Sequence, residues 1–211
     1  MPQNTEALLP VMTGQPVIPV IVLEDAKDAV PLAKALVAGG LPAIEITLRT
    51  DAALESIRRV AAEVPEALVG AGTILNAAQF DEAVAAGSKF IVSPGLTPEL
   101  VDAAEGSPVP LLPGAVTSSE IMAALEDGYS LLKFFPAEQA GGAAYLKSLS
   151  SPFGGVKFCP TGGVSAKNAT DYLSLPNVLC VGGSWVAPKD AVASGDWARI
   201  TALAKEAAAI S

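Results

Sequence analysis

Lys133 lies inside the apolar segment Leu131–Pro136, which reads Leu-Leu-Lys-Phe-Phe-Pro and has the composition of a buried strand. A strand that is buried on both faces leaves no room for a hydrated ammonium group, so burial favours the neutral amine. A neutral amine in an apolar pocket is a nucleophile for carbonyl carbon, as in enzymes that form Schiff bases. The alternative is a structural lysine whose side chain extends to solvent.

A second polar set occurs in the strand-like segment Ala43–Leu48 and just after it. Glu45, Thr47 and Arg49 occupy alternate positions, and the residues between them are apolar. Because strand side chains alternate between two faces, this polar set shares one face, opposite the apolar face that should contact helices. Glu45 is therefore a candidate general acid or base. The alternative is a buried structural pair of Glu45 with Arg49.

The chain has no histidine, which limits the chemistry that it can perform. Ser–His and Cys–His nucleophilic sites and histidine-based zinc sites are excluded. Acid–base work must come from carboxylate, lysine, tyrosine, cysteine or water. A magnesium ion held by carboxylates is the metal site that this composition leaves open. Cys159 and Cys180 lie in apolar segments, and we expect them to be reduced core residues.

The composition indicates a cytoplasmic protein that can bury a sizeable apolar core. The 211 residues are 51% hydrophobic, and the net charge of −9 argues against a nucleic-acid partner. No apolar run approaches the roughly 18 residues of a membrane span. The start, Met1–Glu6, lacks the positive charges that open a signal peptide, so we expect none.

Eight strand-like segments alternate with Ala-rich helical segments, which predicts a parallel sheet. Eight such units favour a single (β/α)8 barrel over residues 1–211, with an extra N-terminal helix at Thr5–Met12. An open doubly wound sheet is the alternative. The predicted strands are Val17–Leu23, Ala43–Leu48, Ala67–Ala71, Lys89–Val92, Val109–Leu112, Leu131–Phe135, Val156–Cys159 and Val178–Val181.

The predicted helices begin or end at recognisable signals. Asp25–Ala38 is followed by Gly39-Gly40, a helix-terminating pair, and Asp51 is expected to cap the helix that runs to Glu63. The other helices are predicted at Asn76–Ala86, Thr97–Ala104, Thr117–Asp127, Ala143–Leu149, Ser165–Leu173 and Gly195–Ile210.

The barrel prediction brings the candidate residues together. Active sites of such barrels lie at the C-terminal ends of the strands, where Lys133 and Glu45 can face each other across the mouth. A carboxylate beside a desolvated lysine suits imine chemistry, because it can move protons while the amine attacks a carbonyl. Lys89 and Lys157 are weaker candidates, since both lie at strand starts.

Glycine pairs follow the last two predicted strands. Thr161-Gly162-Gly163 follows the seventh strand, and Gly182-Gly183-Ser184 ends the eighth. Loops at these positions commonly bind phosphate through backbone amides in this fold, and glycine lets the backbone approach the anion. Plain turns are the alternative.

Taken together, these segments resemble the 2-keto-3-deoxy-6-phosphogluconate aldolase family, also called the bifunctional 4-hydroxy-2-oxoglutarate aldolase family. The resemblance covers about residues 16 to 188. Its segments are Pro16–Val20, Ala35–Gly40, Glu45–Thr50, Val69–Thr73, Ser93–Thr97, Lys133–Glu138, Phe158–Gly163 and Gly182–Trp185.

The resemblance implies a class I aldolase of the Entner–Doudoroff pathway on a (β/α)8 barrel. It implies a homotrimer that needs no metal or other cofactor. Lys133 would form the imine and Glu45 would transfer protons. The implied substrate-binding residues are Arg49 and Thr73 for the pyruvyl carboxylate, Pro94 and Phe135 around the imine, Thr161 for the polar chain, and Gly162, Gly163, Gly183 and Ser184 for the phosphate.

We therefore expect a lyase that splits 2-keto-3-deoxy-6-phosphogluconate into pyruvate and glyceraldehyde 3-phosphate. Two alternatives stay open at this point. The main substrate could be 4-hydroxy-2-oxoglutarate, or the chain could be a phosphate-ligand-binding barrel without turnover. The pairing of Glu45 with Lys133 argues against the last alternative, because binding alone needs no desolvated amine.

Overall fold

The computed structural model describes residues 3–210, in which eight strands alternate with helices. The strands are β1 (Val17–Ile21), β2 (Ala43–Thr47), β3 (Leu68–Gly72), β4 (Ile91–Val92), β5 (Leu111–Leu112), β6 (Leu131–Phe134), β7 (Lys157–Pro160) and β8 (Val181–Gly183). The helices are α1 (Thr5–Thr13), α2 (Ala29–Ala38), α3 (Ala53–Glu63), α4 (Ala77–Ala85), α5 (Pro98–Ala104), α6 (Ser118–Glu126), α7 (Gly142–Leu149), α8 (Ala169–Leu173), α9 (Lys189–Ser194) and α10 (Trp197–Ala208), and a 3₁₀ turn at Ala26–Asp28 precedes α2.

The strands pair in parallel and form a curled sheet. Six of them follow the order β5-β4-β3-β2-β1-β8, and β6 pairs separately with β7. Isolated bridges join Gly114 to Lys133, Phe158 to Val178, and Thr161 to Gly182. The first strand pairs with the last and the others follow chain order, whereas the order of a doubly wound sheet reverses at a switch point. The prediction of an α/β fold with parallel strands is confirmed.

Apolar residues on the two faces of the strands enter different parts of the core. Ile44 and Ile46 of β2 are buried in a large cluster that includes residues of the surrounding helices. A smaller cluster contains Leu8 and Met12 of α1 together with Leu131 and Cys159 of the strands. Helix α1 therefore covers the sheet at the end opposite the candidate site.

Two buried glutamines satisfy backbone groups where the strands begin. The Gln3 amide nitrogen donates to the carbonyl oxygens of Leu111 and Leu131, each at 2.9 Å, and its oxygen accepts from the Leu131 amide at 3.0 Å. The Gln15 side chain exchanges hydrogen bonds with both backbone groups of Ala43. Buried amide groups without such partners would destabilise the fold.

Most element boundaries agree with the predicted ones to within two residues. Helix α2 begins four residues later than predicted, at Ala29 rather than at Asp25, because residues Ala26–Asp28 form a 3₁₀ turn capped by Asp25.

Three further predictions were wrong. Strand β8 begins at Val181 rather than at Val178, which contributes only an isolated bridge. Helix α8 begins at Ala169 rather than at Ser165, because Asn168 Oδ1 accepts from the Ser165 amide and hydroxyl and holds a turn there.

The last of these wrong predictions concerns the start of α3. Its N-cap is Ala52, whose side chain forms no capping hydrogen bond, so Asp51 does not cap this helix. The helix-terminating pair after α2 is confirmed, since Gly40 has a φ of 91°, which glycine adopts without strain. No helix of the described residues is long and apolar enough to cross a membrane. Met1 and Pro2, on which the expectation about the N-terminal start partly rests, lie outside the described residues.

Candidate active site

The Lys133 and Glu45 side chains meet in the interior. Lys133 Nζ lies 3.4 Å from Glu45 Oε1, and the two side chains are only 3% and 4% exposed. The alternative of a solvent-reaching lysine is therefore wrong. Removing two charged groups from water costs on the order of several kcal/mol per ion. The surrounding fold must therefore hold these two side chains in contact. A buried pair of this kind is weak evidence for stabilisation, and it marks a candidate functional site.

Strand pairing fixes the positions of the two residues. Lys133 on β6 is in register with Cys159 of β7, and Glu45 on β2 is in register with Val20 of β1 and Gly70 of β3. Strands β2 and β6 do not pair with each other, so these side chains contact across the interior. The parity argument made from the sequence correctly gave the inward direction of Glu45.

Gly72 leaves the space that the Glu45 carboxylate occupies. A Cβ atom added at Gly72 would lie 2.0 Å from Glu45 Oε1. No real side chain tolerates that separation, so the absence of a side chain at Gly72 defines the carboxylate position. The Phe135 ring lies on the other side of the amine, with its centroid 5.1 Å from Lys133 Nζ. The amine is thus enclosed by one carboxylate and one aromatic ring.

This arrangement can move a proton without histidine. The carboxylate can accept a proton from the ammonium group and leave a free amine for attack on a carbonyl carbon. No group of three or more Cys, Asp or Glu residues that could hold a metal ion occurs within residues 3–210.

Arg49 and Thr73 form a second polar contact beside the mouth. Arg49 Nε donates to Thr73 Oγ1 at 3.0 Å. Thr73 has a φ of 61°, and it is the only non-glycine residue with positive φ in the described chain. A β-branched residue in that region is strained, and strain of this kind is concentrated at functional sites. No ion pair joins Arg49 to Glu45 within the described part, so the alternative of a structural Glu45–Arg49 pair is wrong.

Two cavities open at this end of the sheet and share Phe135. The larger, of about 560 Å³, is lined by Arg49, Thr161 and the two glycine loops. The other, of about 420 Å³, is lined by Pro94 and residues that follow β5. Lys133 and Glu45 line neither cavity. The Phe135 ring lines both cavities, and its centroid lies 5.1 Å from Lys133 Nζ, so the buried pair lies next to this end of the sheet.

The three glycines expected to bind phosphate, Gly162, Gly163 and Gly183, all line the larger cavity. Each of them is also required by packing. A Cβ atom would lie 3.1 Å from the Phe135 ring at Gly162, 2.5 Å from Glu138 at Gly163, and 1.8 Å from the Trp185 ring at Gly183. Glycine at these positions therefore does not by itself demonstrate an anion site. Ser184, which is exposed and follows Gly183, adds a hydroxyl group at the same edge.

A family model described as "KDPG and KHG aldolase" matches residues 9–203. The chain belongs to the KDPG and KHG aldolase family. It is 54% identical over 199 residues to 2-dehydro-3-deoxy-phosphogluconate aldolase of Pseudoalteromonas atlantica, covering 94% of this chain and 93% of the relative. It is 53% identical to the KHG/KDPG aldolase of Escherichia coli K12, covering 93% and 92%. The family resemblance noted in the sequence and the prediction of a lyase are confirmed.

Solved structures of family members superpose closely on this chain. A KDPG aldolase from Legionella pneumophila, with pyruvate captured at low pH as a covalent carbinolamine intermediate, gives a TM-score of 0.92 at 48% identity, covering 94% of this chain and 97% of the other. The Zymomonas mobilis ZM4 enzyme with 3-phosphoglycerate gives 0.91 at 51% identity, covering 97% and 96%.

The competing lysines lie away from the aldolase-family site. Lys157 begins β7 and donates to the Pro176 carbonyl oxygen at 2.8 Å. Lys89 is exposed and precedes β4. Neither lines the two cavities at the mouth. Within the described chain, only Lys133 among these three is buried beside a carboxylate.

Sequence reasoning missed three residues near the glycine loops. Lys189 and Trp185 line the larger cavity, and Glu138 packs against Gly163. Their position after β6 and β8 is the one sequence signal that could have indicated them, since loops there form the mouth. Glu138 also accepts a hydrogen bond from the hydroxyl of Tyr172 in α8.

Two buried groups have shifted ionisation. Burial, followed by the hydrogen bond to Glu138, raises the pKa of Tyr172 far above its ordinary value. Contact with the Cys159 thiol, together with burial, raises the pKa of the Cys180 thiol. Both groups are therefore neutral at physiological pH. Cys159 and Cys180 are free and buried, as expected.

Proposed function

We propose that this chain is a class I aldolase that cleaves 2-keto-3-deoxy-6-phosphogluconate into pyruvate and glyceraldehyde 3-phosphate. The observation that carries the proposal is the buried contact of 3.4 Å between Lys133 Nζ and Glu45 Oε1. The covalent pyruvate adduct captured in the Legionella relative supports it.

The first half of the reaction makes the imine. The free Lys133 amine attacks the C2 carbonyl carbon of the substrate and gives a carbinolamine. Glu45 supplies the proton with which the carbinolamine hydroxyl leaves as water, and an iminium ion remains on Lys133. The Phe135 ring, whose centroid lies 5.1 Å from Lys133 Nζ, shields the amine from bulk water.

The second half breaks the carbon–carbon bond. The Glu45 carboxylate accepts the proton of the C4 hydroxyl, the C3–C4 bond breaks, and its electron pair moves into the iminium to give an enamine. Glyceraldehyde 3-phosphate leaves. The Glu45 carboxylic acid then protonates the enamine carbon, and water hydrolyses the pyruvyl imine to pyruvate and free Lys133. The iminium is the electron sink, so this sequence needs no metal or other cofactor.

We assign the remaining site residues to substrate binding. Arg49 and Thr73 hold the pyruvyl carboxylate, and their mutual contact of 3.0 Å supports a shared role. Pro94 and Phe135 line the apolar part of the pocket. Thr161 contacts the polar chain, and the phosphate binds at the edge formed by Gly162, Gly163, Gly183 and Ser184.

A second activity on 4-hydroxy-2-oxoglutarate is also proposed, because it uses the same pyruvyl half and the same lysine. The name of the Escherichia coli relative, KHG/KDPG aldolase, supports this reading. The non-catalytic barrel is disfavoured, since a ligand-binding role gives no reason to bury a lysine beside a carboxylate.

Closure of the barrel, the oligomeric state and the cellular location are also proposals. We infer that residues 1–211 form one (β/α)8 barrel domain, closed through the isolated bridges at β5–β6 and β7–β8, with α1 as its floor. We further propose a homotrimeric, cytoplasmic enzyme with a phosphorylated 2-keto acid as substrate and without nucleic-acid or membrane partners. The exposed apolar Met122 and Leu125 on α6 support a subunit contact.

The deciding experiment measures pyruvate release from both substrates. We expect release from 2-keto-3-deoxy-6-phosphogluconate and a slower release from 4-hydroxy-2-oxoglutarate, with the same rates in the presence of a chelator. No pyruvate from either substrate would contradict the aldolase proposal. A faster reaction with 4-hydroxy-2-oxoglutarate would make that compound the main substrate.

A further inference from the structure

Lys189 is the charged residue of the larger cavity to which the proposed reaction assigns no role. It is the first residue of α9, and it lines this cavity together with the two glycine loops, Ser184 and Trp185. Its side chain is exposed, and none of the described residues forms an ion pair or a side-chain hydrogen bond with it.

The cavity contains two cationic side chains, and they lie beside different groups. Arg49 is held by Thr73, on the side of the mouth that follows β2 and β3. Lys189 follows β8 and lies on the side of Gly183 and Ser184. Arg49 therefore serves the carboxylate end, and Lys189 is the cation available at the phosphate end.

A phosphate group at this edge needs a net positive charge. Backbone amides and the Ser184 hydroxyl supply dipoles, but a phosphate monoester carries nearly two negative charges at neutral pH. The net charge of the chain is −9, which repels such an anion. A lysine is well suited to the task, because it acts as a mobile point charge toward phosphate.

Nearby carboxylates can compete with a bound phosphate for the Lys189 ammonium group. Glu24 and Asp28 line a smaller cavity of about 200 Å³ that Lys189 also borders. Asp190, the next residue in the chain, is paired with Arg199 at 2.6 Å and so is already neutralised. Glu24 and Asp28 are the acidic residues that line the smaller cavity together with Lys189. A bound phosphate would compete with them for the ammonium group.

We infer that Lys189 neutralises the distal phosphate and thereby sets the preference for the phosphorylated substrate over 4-hydroxy-2-oxoglutarate. The inference rests on the proposed aldolase function and adds the residue that selects between its two substrates. The distal carboxylate of 4-hydroxy-2-oxoglutarate is the fifth carbon of the chain, whereas the phosphate is carried on the sixth. The shorter substrate therefore ends before the edge that Lys189 borders.

The test compares Lys189→Gln, Lys189→Arg and Lys189→Glu with Lys205→Gln, which removes an equally exposed charge from α10. Lys189→Gln is expected to raise KM for 2-keto-3-deoxy-6-phosphogluconate about three- to tenfold with little change in kcat, as for a lost binding contact at a solvated site. Lys189→Arg should restore KM, and Lys189→Glu should raise it further. KM for 4-hydroxy-2-oxoglutarate should not change in any variant.

A binding measurement separates this inference from the proposed function. Inorganic phosphate, titrated against the fluorescence of Trp185 at the cavity, should bind more weakly to Lys189→Gln than to wild type or Lys205→Gln. Unchanged phosphate binding and unchanged KM would overturn the inference while leaving the aldolase proposal intact. Equal rises in KM for both substrates would also overturn it. A wild-type protein that released no pyruvate would contradict the aldolase proposal, and the phosphate titration would still decide the role of Lys189.

Discussion

The buried lysine–carboxylate pair and the proposed phosphate site at Gly162, Gly163, Gly183 and Ser184 differ in exposure and in the elements that carry them. Lys133 and Glu45 project from strands into the interior, and their side chains are at most 4% exposed. Ser184 lies on the connection between β8 and α9, Lys189 is the first residue of α9, and both are exposed. The groups proposed to react are thus fixed by sheet register, whereas the groups proposed to recognise the substrate lie on loops.

The two regions also differ in how strongly their charged groups interact, because one is buried and the other is exposed to solvent. Interactions between charges strengthen as water is removed, so a change at the buried pair should have a large effect. Exposed charges are screened by water and salt, and each contributes about 1 kcal/mol or less. The following predictions test this contrast, in order of decreasing effect.

Glu45→Gln should give the largest loss, because the amide keeps the shape of the carboxylate but cannot accept a proton. We expect turnover to fall roughly 10²- to 10⁴-fold. Exchange of the pyruvate methyl protons with solvent should fall in parallel, as followed by proton NMR. Glu66→Gln, at an exposed carboxylate before β3, is the matched control. Normal methyl exchange in Glu45→Gln would show that another group transfers the proton.

Gly72→Ala should displace the Glu45 carboxylate without removing it. The added Cβ atom would lie 2.0 Å from Oε1, so the carboxylate must shift. A shift of about 1 Å in a reacting group can cost on the order of 10²-fold in rate. Gly155→Ala is the control, since a Cβ atom there meets no atom within 4 Å. Equal kcat values for the two variants would mean that the position of Glu45 does not limit the reaction.

Ser184→Ala should have a mild effect, because the hydroxyl group is exposed and the backbone amides beside it remain. We expect a loss of about 1.5 kcal/mol in binding of the phosphorylated substrate, at the low end for a hydrogen bond to a charged group. Steady-state kinetics should show the loss in KM, and only for that substrate. A loss of kcat as large as that of Glu45→Gln would remove the contrast between the two regions.

Tyr172 gives a smaller, pH-dependent effect on stability near the glycine loops. Burial and Glu138 raise its pKa above the ordinary value of 10.0, so the folded protein keeps a proton that the unfolded chain loses. This stabilisation is complete below about pH 10 and declines as the pH rises further. Urea unfolding at about pH 8 and about pH 10.5 should show a steeper decline for wild type than for Tyr172→Phe. Parallel declines would show that the phenol is not responsible.

Strand parity carried most of what the sequence could predict. Alternation in β2 placed Glu45 in the interior, and the apolar surroundings of Lys133 in β6 placed the amine beside it. The bounds of a strand were harder to predict where glycines form it, as in β8. Strand β8 extends through Gly182 and Gly183 because Thr161 and Trp185 fill the space of the missing side chains, and such filling depends on contacts distant in sequence.

Contacts made by exposed loops were the least predictable. Apart from its place after β8, nothing in the sequence indicates that Lys189 lines the larger cavity. Nothing in the sequence indicates that Glu138 accepts a hydrogen bond from Tyr172. Helix starts are hard to predict for the same reason. Asp51 is a residue type that commonly caps helices, but the N-cap of α3 is the next residue, Ala52. Such details depend on how loops pack after the sheet has formed.

The central claim is that Lys133 forms the imine, and trapping with borohydride tests it most directly. Protein incubated with pyruvate and sodium borohydride should gain one reduced pyruvyl group, and peptide mass spectrometry should locate it on Lys133. Lys133→Ala should remain folded and unlabelled. Labelling of Lys89 or Lys157, or no labelling of an active wild-type protein, would contradict the account.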